Sequence, residues 1–569
     1  EIERTAKIPD SVLKGLFALG AFGMKIPKEY GGLGFSYTNY GRALMLIASW
    51  SNILALTVAV PQSIGIAMPL LLFGTEEQKR KYLPIVASEA ISAFALTESL
   101  TGSDAANVQT DAVLDSSGTV FVVNGEKLWC TNGSIARYVT LIARVPAKRV
   151  QQDGQILWIP VPEGKGGEDQ VHTAFILDME TPGVWVRQRC QFEGCRGIEN
   201  AYMTFTNVRI PAANVIGEVG RGLKYALTIL NVGRAVSIPA ICLGMAKQAW
   251  QPTIDHANTR LTFQKPLSDR QTQRMRLGRM AVNLFTMEAL ASSVWRMADQ
   301  HSYDVRIEAA IAKIFCSEKT IQFLKDAQII FGGMGYETAD SKRVRGEPAF
   351  GIEQLVRDAE MYRIGEGATD ILRPFVAREG VSPHLDRAQR YMNGEVNRGE
   401  RLVELLKLAR IYVPWYMSLW RSRSLPDRTE FHHPKVRQLL SFVEQSSRRL
   451  ACAIFWAMVR HGEQLRDDQG RQTRIETIGE DLLTIATAAL EASSPARVTS
   501  DEPVWDLVDH FVADAQVRID RAISELRGHN GDDIPTTIGQ QTVGGNYEGL
   551  SHGIIQRGLR DYSPSPNTP

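Results

Sequence analysis

Residues 357–380 read RDAEMYRIGEGATDILRPFVAREG, and within them Glu366 stands between Gly365 and Gly367 just ahead of an apolar helical run. Glycines on both sides let backbone approach a bound group closely, and no Lys or Arg adjoins the carboxylate, which is left able to accept a proton. The pattern reads as a base poised beside a cofactor. A solvated Glu in a surface turn has the same local sequence, so the surrounding chain has to decide between the two.

Upstream of this stretch the chain is helical in period: LKYALTILNVGRAVSIPAICLGMAKQAW (223–250), RMRLGRMAVNLFTMEALASSVWRMADQ (274–300) and RIEAAIAKIFCSEKTIQFLKDAQIIF (306–331) read as bundle helices. Earlier still, TVFVV, YVTLIARV, HTAFILDM, GVWVRQ and AYMTFTNVRI are short β-rich runs, with Asn124-Gly125 as a hairpin turn. Residues 10–90 return to helix period, broken at Pro27 and Gly31-Gly32-Leu33-Gly34. Beyond 385 the chain is helical and more charged, with a turn-rich tail after Gly528. The predicted fold is α+β and mainly α, in four parts: a helical N-terminal domain (1–90), a central β-barrel-like domain (91–216), a helical bundle carrying the base (217–384) and an extra C-terminal helical domain (385–569).

Composition narrows the functions. A chain of 569 residues with 44% hydrophobic side chains can bury large cores, and a net charge of +1 with interspersed signs provides no field for nucleic acid. Six scattered cysteines without C-x-x-C spacing argue against a disulfide framework or structural zinc and favour a reducing compartment. His432-His433 ahead of Pro434 is the best metal candidate, and adjacent histidines at a loop edge are usually solvated, so no metal is expected. No run of eighteen apolar residues and no signal-peptide pattern is read, and the opening Glu1 suggests that an upstream segment has been lost.

Three further segments carry chemistry. FALTESLTGSD (94–104) turns from apolar to hydroxyl-rich and offers N–H groups and small hydroxyls to a ring edge or phosphate; an ordinary polar turn has the same composition. EKLWCTNG (126–133) places an indole two residues from a threonine, although a buried core Trp is the commoner use. QIIFGGMGY (328–336) puts glycines after a helical run as a helix stop or a close approach to a ligand. It is not G-x-G-x-x-G and follows no strand.

In this order, together with KIPKEYGGLGF (25–35), RLTFQKPL (260–267) and RIGEGATDILR, these segments resemble the acyl-CoA dehydrogenase family over about residues 10–380. HPKVRQLLSFVEQ and the helices around it are similar to the extra domain of the very-long-chain branch. The resemblance implies FAD as cofactor, with Phe94, Leu96, Thr97, Gly102 and Ser103 lining flavin and pyrophosphate, Trp129 covering one ring face and Thr131 near the reactive edge. It implies that Arg260, Thr262, Phe263, Gln328, Gly332 and Gly333 reach the cofactor across a homodimer interface, and that Ala368, Thr369 and Asp370 follow the base at the FAD site. Glu366 falls on the base position. Some relatives carry the base at the position of Gly233, which cannot serve. Arg234 would help hold the base and substrate region, Asn231 would lie near the CoA arm, and Ser103 and Gly365 would border the substrate. The implied reaction is dehydrogenation of an acyl-CoA to a trans-2-enoyl-CoA, with electrons passing to an electron-transfer flavoprotein, in a bacterial cytoplasm or mitochondrial matrix.

Some positions depart from the family pattern. Gly365 replaces an aromatic, which widens the expected pocket; Ala368 replaces a hydroxyl residue, Ser99 a proline and Gln264 a glycine, and Ile198-Glu199-Asn200 replaces Ser-x-Thr. The run Leu56 to Val60 lacks the polar floor of medium-chain relatives and favours a longer acyl tail. LLKLARIYVPWYMSLWRSRS (405–424) interleaves aromatics with Arg and Lys, which suits an interfacial membrane contact, while a core helix followed by a polar turn accounts for it equally. The alternatives are a dehydrogenase recruited to another acyl thioester in biosynthesis, carrier-bound substrates included, and a family member with a mainly assembly or binding role.

Overall fold

The computed structural model describes all residues except 164–168, 301–303, 393–397, 422–424, 427, 429–430, 432, 499–502, 529–530 and 556–569, so His432 and the end of the turn-rich tail lie outside the described residues. After a four-residue helical turn at Ile2–Thr5 come α1 (Asp10–Ala18), α2 (Tyr37–Ala48), α3 (Asn52–Ser63), α4 (Ala67–Phe73) and α5 (Glu76–Ser88). Ser36, Ser51 and Thr75 accept hydrogen bonds from the N–H groups of Asn39, Leu54 and Gln78, satisfying donors that a helix start leaves bare and setting where α2, α3 and α5 begin.

Next comes a nine-stranded mixed sheet: β1 (Ser92–Ala95), β2 (Asp111–Leu114), β3 (Val120–Thr131), β4 (Tyr138–Gln152), β5 (Gln155–Pro160), β6 (Asp169–Asp178), β7 (Val184–Arg189), β8 (Asn200–Pro211) and β9 (Val215–Ile216). The order is β7-β8-β3-β2-β4-β6-β9, with β1 and β5 also on β4; β1 and β2 run parallel to β4. It is not the closed barrel that a β-barrel-like domain would require. At one end of the path lies β9, a strand of two residues and too short an edge to join β7. Short β runs at regular spacing are common to barrels and open sheets, which is why the sequence does not separate them.

Asn124-Gly125 is not a hairpin turn either. It lies within β3, where the register against β8 shifts between Val123 and Gly125. Gly125 holds φ +139°, and a Cβ there would stand 2.7 Å from Thr110 Cα, so the glycine serves a bulge with a close backbone neighbour. The β2–β3 reversal is made at Asp115–Gly118 through Gly118 N–H to the Asp115 carbonyl, 3.0 Å.

The second helical region holds α6 (Gly222–Val232), a π-helical turn at Gly233–Ser237, α7 (Ile238–Thr259), the hairpin β10 (Leu261–Thr262) and β11 (Lys265–Pro266), α8 (Gln271–Asp299), α9 (Arg306–Phe331), α10 (Ile352–Ile364) and α11 (Thr369–Met392). The C-terminal extension adds α12 (Arg398–Ser418), α13 (Pro434–His461), α14 (Gln469–Ala492) and α15 (Val504–Arg527). One buried apolar cluster runs through both regions: Leu243, Leu290 and Phe315 share it with Ile478, Ile485 and Phe511. The extension is thereby packed into the bundle's own core.

Two stretches, Asn52–Phe73 and Gly222–Thr259, are apolar and long enough to cross a membrane although neither holds eighteen consecutive apolar residues; both are mostly buried within the fold. Polar residues such as Gln62 and Ser63 interrupt the first, so a count of consecutive apolar residues misses what the average hydropathy registers.

Candidate active site

The loop between α10 and α11 places Glu366 at the edge of the bundle with φ +56°, a conformation that a non-glycine residue holds only when its surroundings impose it. Three side chains do so. Arg234, in the π-helical turn, donates Nε to the Glu366 carbonyl at 2.7 Å. Lys313, wholly buried on α9, donates Nζ to the carbonyls of Arg363 (2.9 Å) and Gly367 (2.7 Å), one on each side of the turn. Glu318, on the same helix, accepts from the Thr369 hydroxyl (3.0 Å) and Arg363 Nε (3.1 Å).

None of these hydrogen bonds goes to the Glu366 carboxylate. Glu366 as a residue is half-buried, but its Oε2 is enclosed and has no hydrogen-bond partner among the described residues. Burial pushes its pKa up to about 7, against the pull of Arg234 and then Lys313. The carboxylate rests on Gly233: a Cβ built there would lie 1.8 Å from Oε2. The glycine that makes position 233 useless as a base is the space that position 366 occupies. π-helical turns often occur at functional sites, and this one also presents Ser237, whose hydroxyl meets the buried Tyr40 hydroxyl at 3.0 Å. Asn231, on the preceding turn, has an enclosed Oδ1 without a donor among the described residues. Burial depresses the Lys313 ammonium to about 8. Lys313→Met is expected to lower stability by about 2 kcal/mol, because two carbonyls lose a charged donor, and to loosen the Glu366 turn. Thermal unfolding of the loaded protein checks it, and an unchanged melting temperature counts against the clamp.

A second group lies on the sheet. Trp129 sits at an irregularity in β3, with φ +54° and 57% of its surface exposed, and is not a core tryptophan. The loop carrying Leu96 and Thr97 is tied to the same strand by Leu128 N–H to the Thr97 carbonyl (2.9 Å) and Lys127 Nζ to the Leu96 carbonyl (2.9 Å). Phe94 is buried at its base, and Gly102 and Ser103 are exposed at its far end. Beneath the loop a buried ion pair, Lys127–Glu98 at 2.7 Å, is completed by Thr110 N–H to Glu98 (2.9 Å). Thr131 receives Asn200 Nδ2 at 3.1 Å, so part of the departure at 198–200 supports the hydroxyl beside the indole. Asn132 donates to the Thr57 carbonyl (2.9 Å) on α3, which also packs on the π-helical turn, linking the sheet group to the Glu366 group.

The third group stands apart. Phe263 and Gln264, both at positive φ, form the two-residue turn of the β10–β11 hairpin, and Phe263 is 94% exposed. His256, ahead of Arg260, stacks on Phe331 beside Gly332 (4.4 Å, 20°), bringing the 260–263 and 328–333 segments together. Lys313 and Gln328 lie on one helix, about 22 Å apart along its axis. Arg260, Thr262, Phe263, Gln328, Gly332 and Gly333 therefore do not join the Glu366 group of their own chain. Ala368 lies next to that group, the Thr369 hydroxyl is taken by Glu318, and Asp370 is exposed. Sequence reasoning missed Lys313, Glu318, Tyr40 and Lys127, with a lone Lys inside AAIAKIF as the available signal, and noted Asn200 only as a departure from the family pattern.

Glu366 Oε2, enclosed and without a hydrogen-bond partner among the described residues, and Trp129, with its indole exposed on the sheet, are the residue types that an enzyme site of the general-base class uses. Residues 1–90, 93–208 and 220–381 match the N-terminal, middle and C-terminal domains of acyl-CoA dehydrogenase. The chain is 36% identical over 575 residues to "Probable acyl-CoA dehydrogenase FadE10" of Mycobacterium tuberculosis, covering 100% of this chain and 86% of that protein. It is 30% identical to the human mitochondrial very long-chain specific acyl-CoA dehydrogenase, covering 97% of this chain and 79% of that one. The fold is similar to an acyl-CoA dehydrogenase from Bacillus anthracis complexed with FAD, with a TM-score of 0.70 and 25% identity over 92% of this chain and 83% of that one. This chain belongs to the acyl-CoA dehydrogenase family.

Proposed function

We propose that this chain dehydrogenates an acyl-CoA at its α and β carbons to the trans-2-enoyl-CoA, with Glu366 as the base and FAD as the cofactor. The observation that carries the reading is the Glu366 carboxylate, whose Oε2 is enclosed without a hydrogen-bond partner among the described residues and whose pKa burial pushes up to about 7. A carboxylate in that state takes an α-proton far more readily than a solvated one, since its charged form is already disfavoured. Arg234 holds its carbonyl and Lys313 the carbonyls on either side of the turn, while Oε2 has no hydrogen-bond partner among the described residues.

The residues present fit FAD. Trp129 offers an exposed flat face, Thr131 a short hydroxyl held by Asn200, and the loop from Leu96 to Ser103 small side chains and backbone N–H groups on a rigid mount. When bound, FAD supplies the two-electron acceptor for the hydride that leaves the β-carbon. Glu366 takes the α-proton from its place against Gly233, where its Oε2 is enclosed. The 260–263 and 328–333 segments serve the cofactor of a second copy in a homodimer, a reading supported by the exposed Phe263.

The substrate is a long-chain acyl-CoA, supported by the buried apolar run Val58–Val60 on α3 and by the likeness to the very-long-chain relatives. Electrons pass to an electron-transfer flavoprotein in a bacterial cytoplasm or mitochondrial matrix, a reading supported by the bacterial and mitochondrial relatives. Exposed Leu402, Leu406, Val413, Met417 and Trp420 on and just beyond α12 support contact with a membrane surface.

Anaerobic titration of the yellow protein with acyl-CoAs of graded length tests the reading. Bleaching by long-chain acyl-CoA is expected, and no bleaching by any acyl-CoA overturns it. A preference for acyl-carrier-protein substrates would instead favour the carrier-bound alternative; the prolyl acyl carrier protein oxidase AnaB is similar in fold over 66% of this chain, with a TM-score of 0.57. Because the base must be ionised, the reduction rate is expected to rise with pH through about 7 and then level off. A flat profile from pH 5.5 to 8.5 counts against Glu366.

A further inference from the structure

The helix that leads out of the Glu366 turn is held on its far side by the C-terminal extension. Arg373 lies one turn, about 6 Å, into α11, and its guanidinium pairs with Glu476 on α14, a carboxylate with no exposed surface, and reaches the Thr477 hydroxyl at 3.4 Å. Glu480 lies one turn further along α14. Glu476 Oε1 and Glu480 Oε2 are both enclosed and have no hydrogen-bond partner among the described residues. Burial holds both carboxyls above the ordinary range, and the charge of Glu480 pushes Glu476 further up. Glu476 is the carboxylate that meets Arg373 directly. Lys319 on α9 and the Asp481–Arg518 pair (2.6 Å) complete the cluster. On the near side, α9 holds the same turn through Lys313 and Glu318. The first turn of α11 is thus gripped between a bundle helix and an extension helix, three residues past Glu366.

We propose that Glu476, with Glu480, is a positioning residue for Glu366 that acts through Arg373. The extension thereby sets the direction of the base as well as covering the bundle. The proposal rests on the assignment of Glu366 as base. A partner that buries charge against Arg373 without touching the carboxylate can alter the reaction only through where α11 begins, and Glu366 sits directly ahead of that point. Removal of the negative charge leaves a buried guanidinium that must seek water, pulling α11 with it.

The test uses the full-length, FAD-loaded protein. In Glu476→Gln/Glu480→Gln, flavin reduction by saturating acyl-CoA is expected to slow at least tenfold with KM within threefold. The apparent pKa of the rate profile is expected to move by at least half a unit, and FAD content to stay unchanged. Should that variant fail to fold, Arg373→Met/Glu476→Met removes the charges together at similar volume and is expected to show the same slowing, since α11 loses its directed tether. A lowered melting temperature with unaltered rate and pH profile shows a merely structural contact and overturns the proposal, as does a rate within twofold of wild type in either folded variant. Glu366→Gln in the same assay separates the two layers. If it still reduces flavin, the base assignment fails and this proposal with it; if it is inert while the Glu476 variants are normal, this proposal fails alone.

Discussion

Glu366→Gln is expected to give a yellow protein that acyl-CoA no longer bleaches, with flavin reduction slowed about 10²–10⁴-fold or more, the range that a positioned general base contributes. Glutamine keeps the shape of the side chain, and the Arg234 and Lys313 hydrogen bonds go to backbone carbonyls, so the turn and the flavin site should survive the change. The same variant carries a second signature, in stability. Folding raises the Glu366 carboxyl from 4.5 to about 7, so between those values the folded state binds more protons than the unfolded one, and stability falls as pH rises through that window. Well above pH 7 the wild type carries the full cost of a buried charge, about 3 kcal/mol, and Glu366→Gln does not. Thermal unfolding should therefore find the variant more stable than wild type at pH 8 and the two nearly equal at pH 4.5. Normal bleaching would sink the base assignment, and a variant less stable at pH 8 would show that the carboxylate is not enclosed as described.

Gly233→Ala is expected to cost about 10²-fold in the reduction rate, the penalty typical of displacing a reacting group by about 1 Å. The new methyl carbon would fall 1.8 Å from Glu366 Oε2 and 2.5 Å from its Cδ, so the carboxylate must leave its place. Within a helical segment alanine is otherwise better than glycine by about 0.5–1 kcal/mol, and flavin content and melting temperature should hold. Stopped-flow reduction alongside a melting curve separates the two effects. A wild-type rate would mean that the carboxylate does not rest on Gly233.

Much of this was legible in the chain. The Gly-Glu-Gly spacing drew attention to Glu366 without separating a base from a solvated turn, the Trp and Thr of EKLWCTNG follow as a cofactor face only from the family resemblance, and the change from helix period to β runs and back outlined the fold class. Other features were not. Nothing in AAIAKIF says that Lys313 caps carbonyls fifty and fifty-four positions away, and nothing in RIETIGED says that Glu476 meets Arg373. The Asn124-Gly125 pair misled because a bulge with a close neighbour needs the same residues as a turn, and only the register against β8 distinguishes them. That the sheet stays open was not legible, because closure depends on which end strands meet, a long-range pairing that alternation within a strand does not encode.

The sequence by itself determined the elements and the residue types able to do chemistry, because periodicity, capping and side-chain acidity are local properties. Only the tertiary structure decided that Glu366 is enclosed against Gly233, held by Arg234 and Lys313 and gripped through Arg373 from the extension. The cost of burying a charge depends on every atom that replaces water around it, and those atoms come from segments more than a hundred residues apart.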